Sequence, residues 1–234
     1  MHSKTDSMAW FAANPWFAAL PLAERKAMVE AGEVVTLCAG EALYRKGDVG
    51  TSFVGVISGS FKVSTLGEDG REAILSVVEP GNWFGEASLL DGLPRPHDAT
   101  AMTDATVLAI AGPAFEQLML RPTFARALAA LLCSRVRALY GLVEDAMLRS
   151  TRTRITRRLL SLARGDATMA TAARAELVVS QEALAMMLGI TRQTLSKDSR
   201  CWCRQACCLW GMAESTYCRC PSWSGVRHAP EVGC

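Results

Sequence analysis

Long apolar runs are the feature that this sequence lacks most clearly. The 234-residue chain has no uninterrupted run of 18 apolar residues, although 50% of its residues are hydrophobic. A helix that spans a membrane needs about 20 such residues. The polar segment from Met1 to Met8 also has no apolar core of the length that a signal peptide requires. The sequence therefore predicts a globular, cytoplasmic protein that does not span a membrane.

The sequence also has few histidines and a small net charge. The three histidines are His2, His97 and His228, and the formal net charge is +2. These histidines are too scattered to build, with carboxylates, the metal site of a cupin-like enzyme, so we expect no catalytic activity. Because the charge is nearly balanced, any affinity for nucleic acid must come from a local basic surface.

Cysteine is almost absent from the body of the chain and abundant at its end. Only Cys38 and Cys133 precede residue 200, and the last 34 residues hold seven: Cys201, Cys203, Cys207, Cys208, Cys218, Cys220 and Cys234. The two cysteines in the body of the chain cannot supply the four ligands of an iron–sulfur cluster, so we expect no such cluster. The candidate axial ligands for a haem are His97 and Cys38, but His97 is interpreted as an ordinary loop residue. We expect no metal site.

The segment from Glu33 to Ala111 has the pattern of many short strands separated by glycines. The β-rich runs are Val34 to Leu37, Ala42 to Tyr44, Phe53 to Ile57, Phe61 to Ser64, Ala73 to Val78 and Thr106 to Ile110. This pattern is typical of an antiparallel sandwich or roll. Before it, Asn14 to Ala31 predicts one or two short helices interrupted at Pro21.

The periodicity becomes helical after Gly112. A short helix is predicted to end near Pro122, and a long one runs from Thr123 to about Arg149. Its heptad positions are Leu128, Leu132, Arg135, Leu139, Leu142 and Ala146. A helix packed on its own sheet is the alternative, but persistence over three heptads favours the seam of a homodimer. Thr151 to Arg164 predicts a further amphipathic helix.

Two short helices joined by a tight turn are predicted between Ser180 and Lys197, after a short strand at residues 177–179. Ser180 and Thr191 can cap these helices, and Gly189 allows a left-handed turn between them. The exposed face of the second helix suits base edges and phosphates, whereas a helical hairpin with a polar surface is the alternative. The candidate DNA-binding residues are Ser180, Thr191, Arg192, Gln193, Ser196 and Lys197.

This order of elements resembles the family of bacterial transcription regulators that includes cyclic AMP receptor protein and FNR. The motifs that carry the resemblance are Gly40 to Asp48, Val56 to Val63, Pro80 to Arg95 and Thr191 to Lys197. The match spans about residues 33 to 197. It implies an α+β fold with an N-terminal antiparallel β-roll, a long dimerisation helix and a C-terminal winged helix-turn-helix. It also implies a homodimer that binds palindromic double-stranded DNA, with RNA polymerase as a further partner.

Four domains follow from these patterns. They are a β-roll with its N-terminal helix at 1–122, a long dimerisation helix at 123–149, a helix-turn-helix domain at 150–197 and an aberrant tail at 198–234. The effector would bind in the roll, and the long helix would relay its presence to the recognition helix.

The segment from Pro80 to Arg95, called here the 80–95 segment, resembles the phosphate-binding cassette of the family. In relatives that bind cyclic nucleotides, the residues matching Glu86 and Arg95 hold the ribose hydroxyl and the cyclic phosphate. A carboxylate accepts from a hydroxyl, and a guanidinium can fork onto phosphate oxygens. The resemblance implies an effector site made of Gly85, Glu86, Ala87, Ser88, Arg95, Arg135, Leu139 and Tyr140.

Some positions depart from the family pattern. Pro96 and His97 stand where a hydroxyl residue and alanine are expected, and proline also removes a backbone N–H donor. Leu139 and Tyr140 stand where a Thr-Ser pair would touch the purine. These departures favour a different ligand, or a structural role for the 80–95 segment, over cyclic AMP itself.

The tail from Asp198 breaks the pattern where the recognition helix should end and a wing should follow. A zinc module is one interpretation, but the paired C-x-x-C spacing of common zinc folds is absent. If one base had been lost in the codon of Asp198, each original codon would consist of the third base of one present codon and the first two bases of the next. Read in this way, the codons of Cys201 and Trp202 give Leu, and those of Trp202 and Cys203 give Val. The hypothesis is therefore a frameshift near residue 198, which predicts a missing or disordered wing and weak DNA binding. The alternative function is a ligand-binding or protein-interaction module that has lost DNA binding.

Overall fold

The structure is a computed structural model that describes residues 7–163, 176–202, 209–210 and 216–219. The described residues divide into two compact units, one up to Arg137 and one from Ala138 onward. This division falls inside one long helix, so the four domains proposed above remain a proposal. None of the described helices combines the length and the apolarity that crossing a membrane requires.

The strands of the first unit form two four-stranded antiparallel sheets, ordered β1-β8-β3-β6 and β2-β7-β4-β5. Their bounds are β1 Gly32–Leu37, β2 Ala42–Tyr44, β3 Ser52–Ser58, β4 Phe61–Leu66, β5 Glu72–Val78, β6 Trp83–Phe84, β7 Asp98–Ala101 and β8 Ala105–Ala111. All six runs predicted from the sequence are strands, so the antiparallel roll is confirmed. The sequence does not predict β6 and β7.

The helices of this unit surround one face of the roll. They are α1 Ser7–Ala12, α2 Pro15–Ala19, α3 Leu22–Ala31, α4 Ala87–Asp91 and α5 Gly112–Met119, with the first part of α6 Pro122–Leu148. Strand β3 is buried on both faces, and its side chains alternate between the two cores. Val54 belongs to the core between the sheets, whereas Phe53 belongs to the core under the helices. At Gly55 an added Cβ would lie 2.8 Å from the Phe11 ring, so this strand requires glycine there.

The N-terminal helices are tied to both the sheet and α6. The Asn14 side chain caps α2 by accepting from the N–H groups of Trp16 and Phe17. Its Nδ2 donates to Asn82 Oδ1 at 2.9 Å, and the Trp16 indole donates to the carbonyl of Ala127 at 2.8 Å. These bonds hold the turn before β6 and the first half of α6 against the same helical layer.

The long helix changes its environment along its length. Leu128 is buried with Phe124 and Leu131 in the core of the first unit, so the start of the predicted dimer seam packs on its own domain. Further along, apolar side chains at three- and four-residue spacing are exposed. We call them the exposed stripe: Val136, Leu139, Tyr140, Val143 and Met147.

The second unit contains α7 Thr151–Ala163, β9 Glu176–Val179, α8 Gln181–Leu188 and α9 Arg192–Trp202. Its small core includes Ile155, Leu159, Leu184, Ala185, Leu188 and Leu195. Arg157 Nε donates to Asp145 Oδ2 at 2.7 Å and so links α7 to the end of α6. The predicted helix-turn-helix is confirmed.

The segment after residue 198 contains regular structure in its described part. Helix α9 continues to Trp202, and β10 (Leu209–Trp210) pairs with β11 (Thr216–Arg219), which pairs antiparallel with β9. The described part of the tail thus holds two short strands, and the absence of a complete wing stays a prediction. Strand pairing uses backbone groups that nearly every residue carries, so an altered side-chain pattern does not prevent it. The rest of the tail lies outside the described residues.

Candidate functional site

The 80–95 segment contains β6 and α4 and lies close to the start of β3. Gly85 has a φ of +92°, and an added Cβ would lie 3.0 Å from the carbonyl oxygen of Ser52. Only glycine combines this left-handed conformation with such a close approach. The short helix α4 follows and ends at Gly92, whose φ is +69°. The loop therefore returns toward β3 before β7 begins.

The Arg95 side chain connects the 80–95 segment to the start of β3. Its Nη1 donates to the carbonyl of Gly85 at 2.6 Å, its Nη2 donates to the carbonyl of Ser52 at 2.8 Å, and its guanidinium lies 4.3 Å from the ring centroid of Tyr44. Burial lowers the pKa of Arg95, while the nearby Tyr44 and Glu86 act to raise it. In this arrangement Nη1 and Nη2 each donate to a backbone carbonyl, and Nε remains without a partner for the predicted contact with a phosphate.

Glu86 and Arg135 form a buried ion pair between the 80–95 segment and α6. Arg135 Nη1 donates to Glu86 Oε1, and its Nη2 donates to the carbonyl of Trp83. The structure thus brings together two of the predicted effector-site residues, which are 49 positions apart. A charged pair with this little exposure is strongly coupled, because removing either partner leaves the other charge buried.

Tyr44 and His97 complete what we call the buried polar cluster, which comprises Tyr44, Glu86, Arg95, His97 and Arg135. The rings of Tyr44 and His97 lie 6.0 Å apart between centroids. Burial raises the pKa of Tyr44, and burial together with the charge of Arg95 lowers the pKa of His97. The sequence analysis does not place Tyr44 in the site, and it treats His97 only as a departure from the family pattern.

Buried polar atoms without a hydrogen-bond partner concentrate at this cluster among the described residues. They include Tyr44 Oη, Glu86 Oε2, Ser88 Oγ, Arg95 Nε and His97 Nδ1. A buried polar atom left unpaired costs about 1–3 kcal/mol, so folded proteins rarely gather several in one place. A ligand with both acceptors and a donor would satisfy them.

The other predicted effector residues have different surroundings. Ala87 is exposed, whereas Ser88 is buried close to Gly50. Leu139 and Tyr140 belong to the second unit and lie on the exposed stripe. Their contact with an effector therefore remains a proposal.

The predicted capping bonds of the helix-turn-helix are present. Ser180 Oγ accepts from the N–H of Ala183 at 3.0 Å, and Thr191 Oγ1 accepts from the N–H of Thr194 at 3.1 Å. Gly189 ends α8 with a φ of +63°. Such caps satisfy backbone donors that the first turn of a helix leaves free.

One side of α9 faces solvent. Leu195 is fully buried, while Thr191, Arg192, Gln193 and Lys197 are exposed. Ser180 and Ser196 are half-buried. The candidate DNA-binding residues therefore lie at or beside the exposed face of α9, except that Ser180 caps the preceding helix.

No group of three or more histidine, cysteine or acidic side chains that could hold a metal ion occurs in the part of the chain that the structure describes. Cys38 and Cys133 are both free and exposed there.

Comparison with known sequences identifies one domain and several relatives. Residues 34–121 match the model of the cyclic nucleotide-binding domain. The "Cyclic AMP receptor protein" of Thermus thermophilus is 31% identical over 159 residues, which cover 68% of this chain and 71% of the relative. The "CRP-like cAMP-activated global transcriptional regulator" of Mycobacterium tuberculosis is 29% identical over 160 residues, with the same coverage of each chain.

Solved structures share the fold. The c-di-GMP responsive global regulator CLP of Xanthomonas campestris superimposes with a TM-score of 0.69 at 18% identity, covering 85% of this chain and 99% of that one. The catabolite activator protein of Thermus thermophilus gives a TM-score of 0.50 at 27% identity, covering 88% and 94%. The first of these shows similarity of fold alone.

Proposed function

The chain belongs to the CRP/FNR family of transcription regulators, and we propose that it is a homodimeric, sequence-specific DNA-binding regulator of that type. Members of this family bind DNA and act as dimers. The observation that carries the proposal is α9, a helix with a capped start, a buried Leu195 and an exposed face bearing Arg192, Gln193 and Lys197. The partners are palindromic DNA and RNA polymerase, and the place of action is the cytoplasm.

The exposed face of α9 suits the major groove. Arg192 can donate two bonds to guanine and Gln193 can pair with adenine, while Lys197 neutralises a phosphate. The N-terminal end of a recognition helix is the end that contacts bases in helix-turn-helix proteins. Arg192 and Gln193 occupy this end in α9, which begins at Arg192.

The exposed stripe supports dimerisation through α6. Its apolar side chains extend over 12 residues, or about 16 Å at 1.5 Å per residue. Val136, Leu139, Tyr140, Val143 and Met147 are each at least 46% exposed. A contiguous apolar face of this kind marks an interaction surface, and a second copy of the same helix is complementary to it in a coiled coil.

The Glu86–Arg135 pair supports a relay from an effector to α6. Glu86 lies in the 80–95 segment, and Arg135 lies on the helix that carries the exposed stripe. A ligand hydroxyl that donates to Glu86 competes with Arg135 for the same carboxylate. Effector binding would thereby change the forces on α6, and a ligand can shift an equilibrium only through such a difference between states.

The proposed effector is an anion that also carries a hydroxyl group. Arg95 Nε is a donor for the anion, and Glu86 Oε2 is an acceptor for the hydroxyl. Cyclic nucleotides have both groups, although Pro96 and the exposed Leu139 and Tyr140 still favour a different ligand over cyclic AMP.

The proposal is tested by selecting a duplex from a random library with the purified chain and measuring affinity by fluorescence anisotropy. We expect Arg192→Ala to weaken the selected site about 5- to 150-fold, the range of one bidentate base contact of about 1–3 kcal/mol. Lys197→Ala should weaken all duplexes similarly and lower the salt dependence by about one ion.

The matched control for these variants is Arg149→Ala. Arg149 is an exposed arginine directly after α6 whose Nη2 pairs with Glu144 at 3.2 Å. Its replacement should leave affinity unchanged. An equal loss for Arg149→Ala and Arg192→Ala would contradict the proposed recognition helix.

A second candidate function is a ligand-binding or protein-interaction module without DNA binding. The cysteine-rich tail after Asp198 favours it, because the side chains there depart from the pattern of a recognition helix and wing. Gel-shift titration of this chain beside a frame-corrected chain distinguishes the two candidates. DNA binding only by the corrected chain would support the module.

A further inference from the structure

His97 stands beside the anion-binding part of the buried polar cluster. It follows Pro96, which has no backbone N–H to offer a ligand. The His97 ring is half-buried against the ring of Tyr44, and its Nδ1 has no hydrogen-bond partner among the described residues. The guanidinium of Arg95 lies over the same tyrosine ring. His97 and Arg95 therefore both lie next to one aromatic side chain, and each has an unpaired nitrogen.

The charges around His97 come from several elements. Arg95 and Glu86 lie in the 80–95 segment, Tyr44 lies on β2, and Asp98 is the first residue of β7. The Asp98 carboxylate already accepts from the N–H of Lys46 at 2.7 Å. Glu86 is paired with Arg135.

These pairings leave Arg95 as the cation of the cluster without a paired carboxylate in the described part of the chain. A ligand anion at its Nε would add a negative charge close to His97.

We propose that His97 is a specificity-determining residue of the effector site, which contacts the anionic group of the effector together with Arg95 and takes up a proton when the effector binds. This inference rests on the proposed effector function of the cluster. In this proposal, the imidazole of His97 replaces the hydroxyl and N–H donors that Pro96 lacks.

The direction of the pH dependence follows from the charges. Without a ligand, burial and Arg95 lower the pKa of His97, so the ring is neutral near pH 7. A bound anion favours the charged imidazolium and raises this pKa. Binding therefore takes up a proton, and affinity increases as pH falls between the two pKa values, by up to about tenfold per pH unit.

The experiment is titration calorimetry of the full chain with cyclic AMP and with cyclic di-GMP, whose phosphodiester groups do not titrate near neutral pH. Measuring in two buffers of different ionisation enthalpy counts the protons taken up. We expect an uptake between zero and one proton per site, which disappears in His97→Gln and His97→Ala. The double variant His2→Ala/His228→Ala removes the other two histidines and should retain the uptake.

The outcomes separate this inference from the proposed function. Binding without proton uptake, or with uptake that persists in His97→Gln, overturns the inference alone. Binding of neither nucleotide overturns both the inference and the proposed effector site, while DNA binding by the same sample would preserve the DNA-binding proposal. If His97 variants misfold, NMR titration of the His97 ring in the unsubstituted chain decides the question, since an unchanged pKa on ligand addition refutes the inference.

Discussion

Leu139 offers the sharpest test of the proposed dimer. It lies in the middle of the exposed stripe on α6 and is 57% exposed. Fully burying a leucine contributes about 1.5–3 kcal/mol, so a partner that covers the exposed part adds about 1–1.5 kcal/mol. Twofold symmetry counts this contribution twice. Leu139→Ala should therefore weaken the dimer by about 2–3 kcal/mol, or roughly 30- to 150-fold in Kd.

The assay is sedimentation velocity over a range of protein concentrations. Leu66→Ala is the matched control, because Leu66 is a leucine of similar exposure, 61%, at the end of β4 in the roll. We expect the control to associate like the original chain. The reasoning is refuted if Leu139→Ala leaves the dimer Kd unchanged, or if both variants weaken it equally.

Two further predictions concern stability. Leu195→Ala should destabilise the second unit by about 2–5 kcal/mol, since it opens a cavity at a fully buried position, and urea unfolding followed by circular dichroism measures this. Because the folded state lowers the pKa of His97, the unfolded chain binds protons more readily, and stability should fall as pH drops through about 6.5. His97→Gln should flatten this dependence in thermal unfolding scans, whereas the same slope in both proteins would exclude His97 as its source.

The sequence predicts the strands and helices that carry a strong local pattern. Six strands of the roll follow from β-branched and aromatic runs between glycines, and α6 follows from its periodicity. Strand β7, in contrast, reads Asp98-Ala99-Thr100-Ala101, which has little intrinsic strand preference. It is a strand because it pairs with both β2 and β4. Tertiary pairing of this kind cannot be inferred from local propensity.

The sequence names candidate residues of the site but not their pairings. The resemblance singles out Glu86, Arg95 and Arg135, yet nothing in the sequence indicates that Arg135 reaches Glu86 or that Arg95 donates to backbone carbonyls. Tyr44 shows only as the end of a β-rich run, and its contact with His97 depends on the register between β2 and β7. The caps at Ser180 and Thr191 were predictable because a cap and its partners are local in sequence.

The most direct test of the account is the selection of DNA by this chain itself. We expect the selected duplexes to be inverted repeats whose half-sites lie about one helical turn apart, bound by two protomers and weakened by Arg192→Ala. Selection of no sequence by a folded chain, or of a single half-site bound by one protomer, would contradict the proposed dimeric regulator.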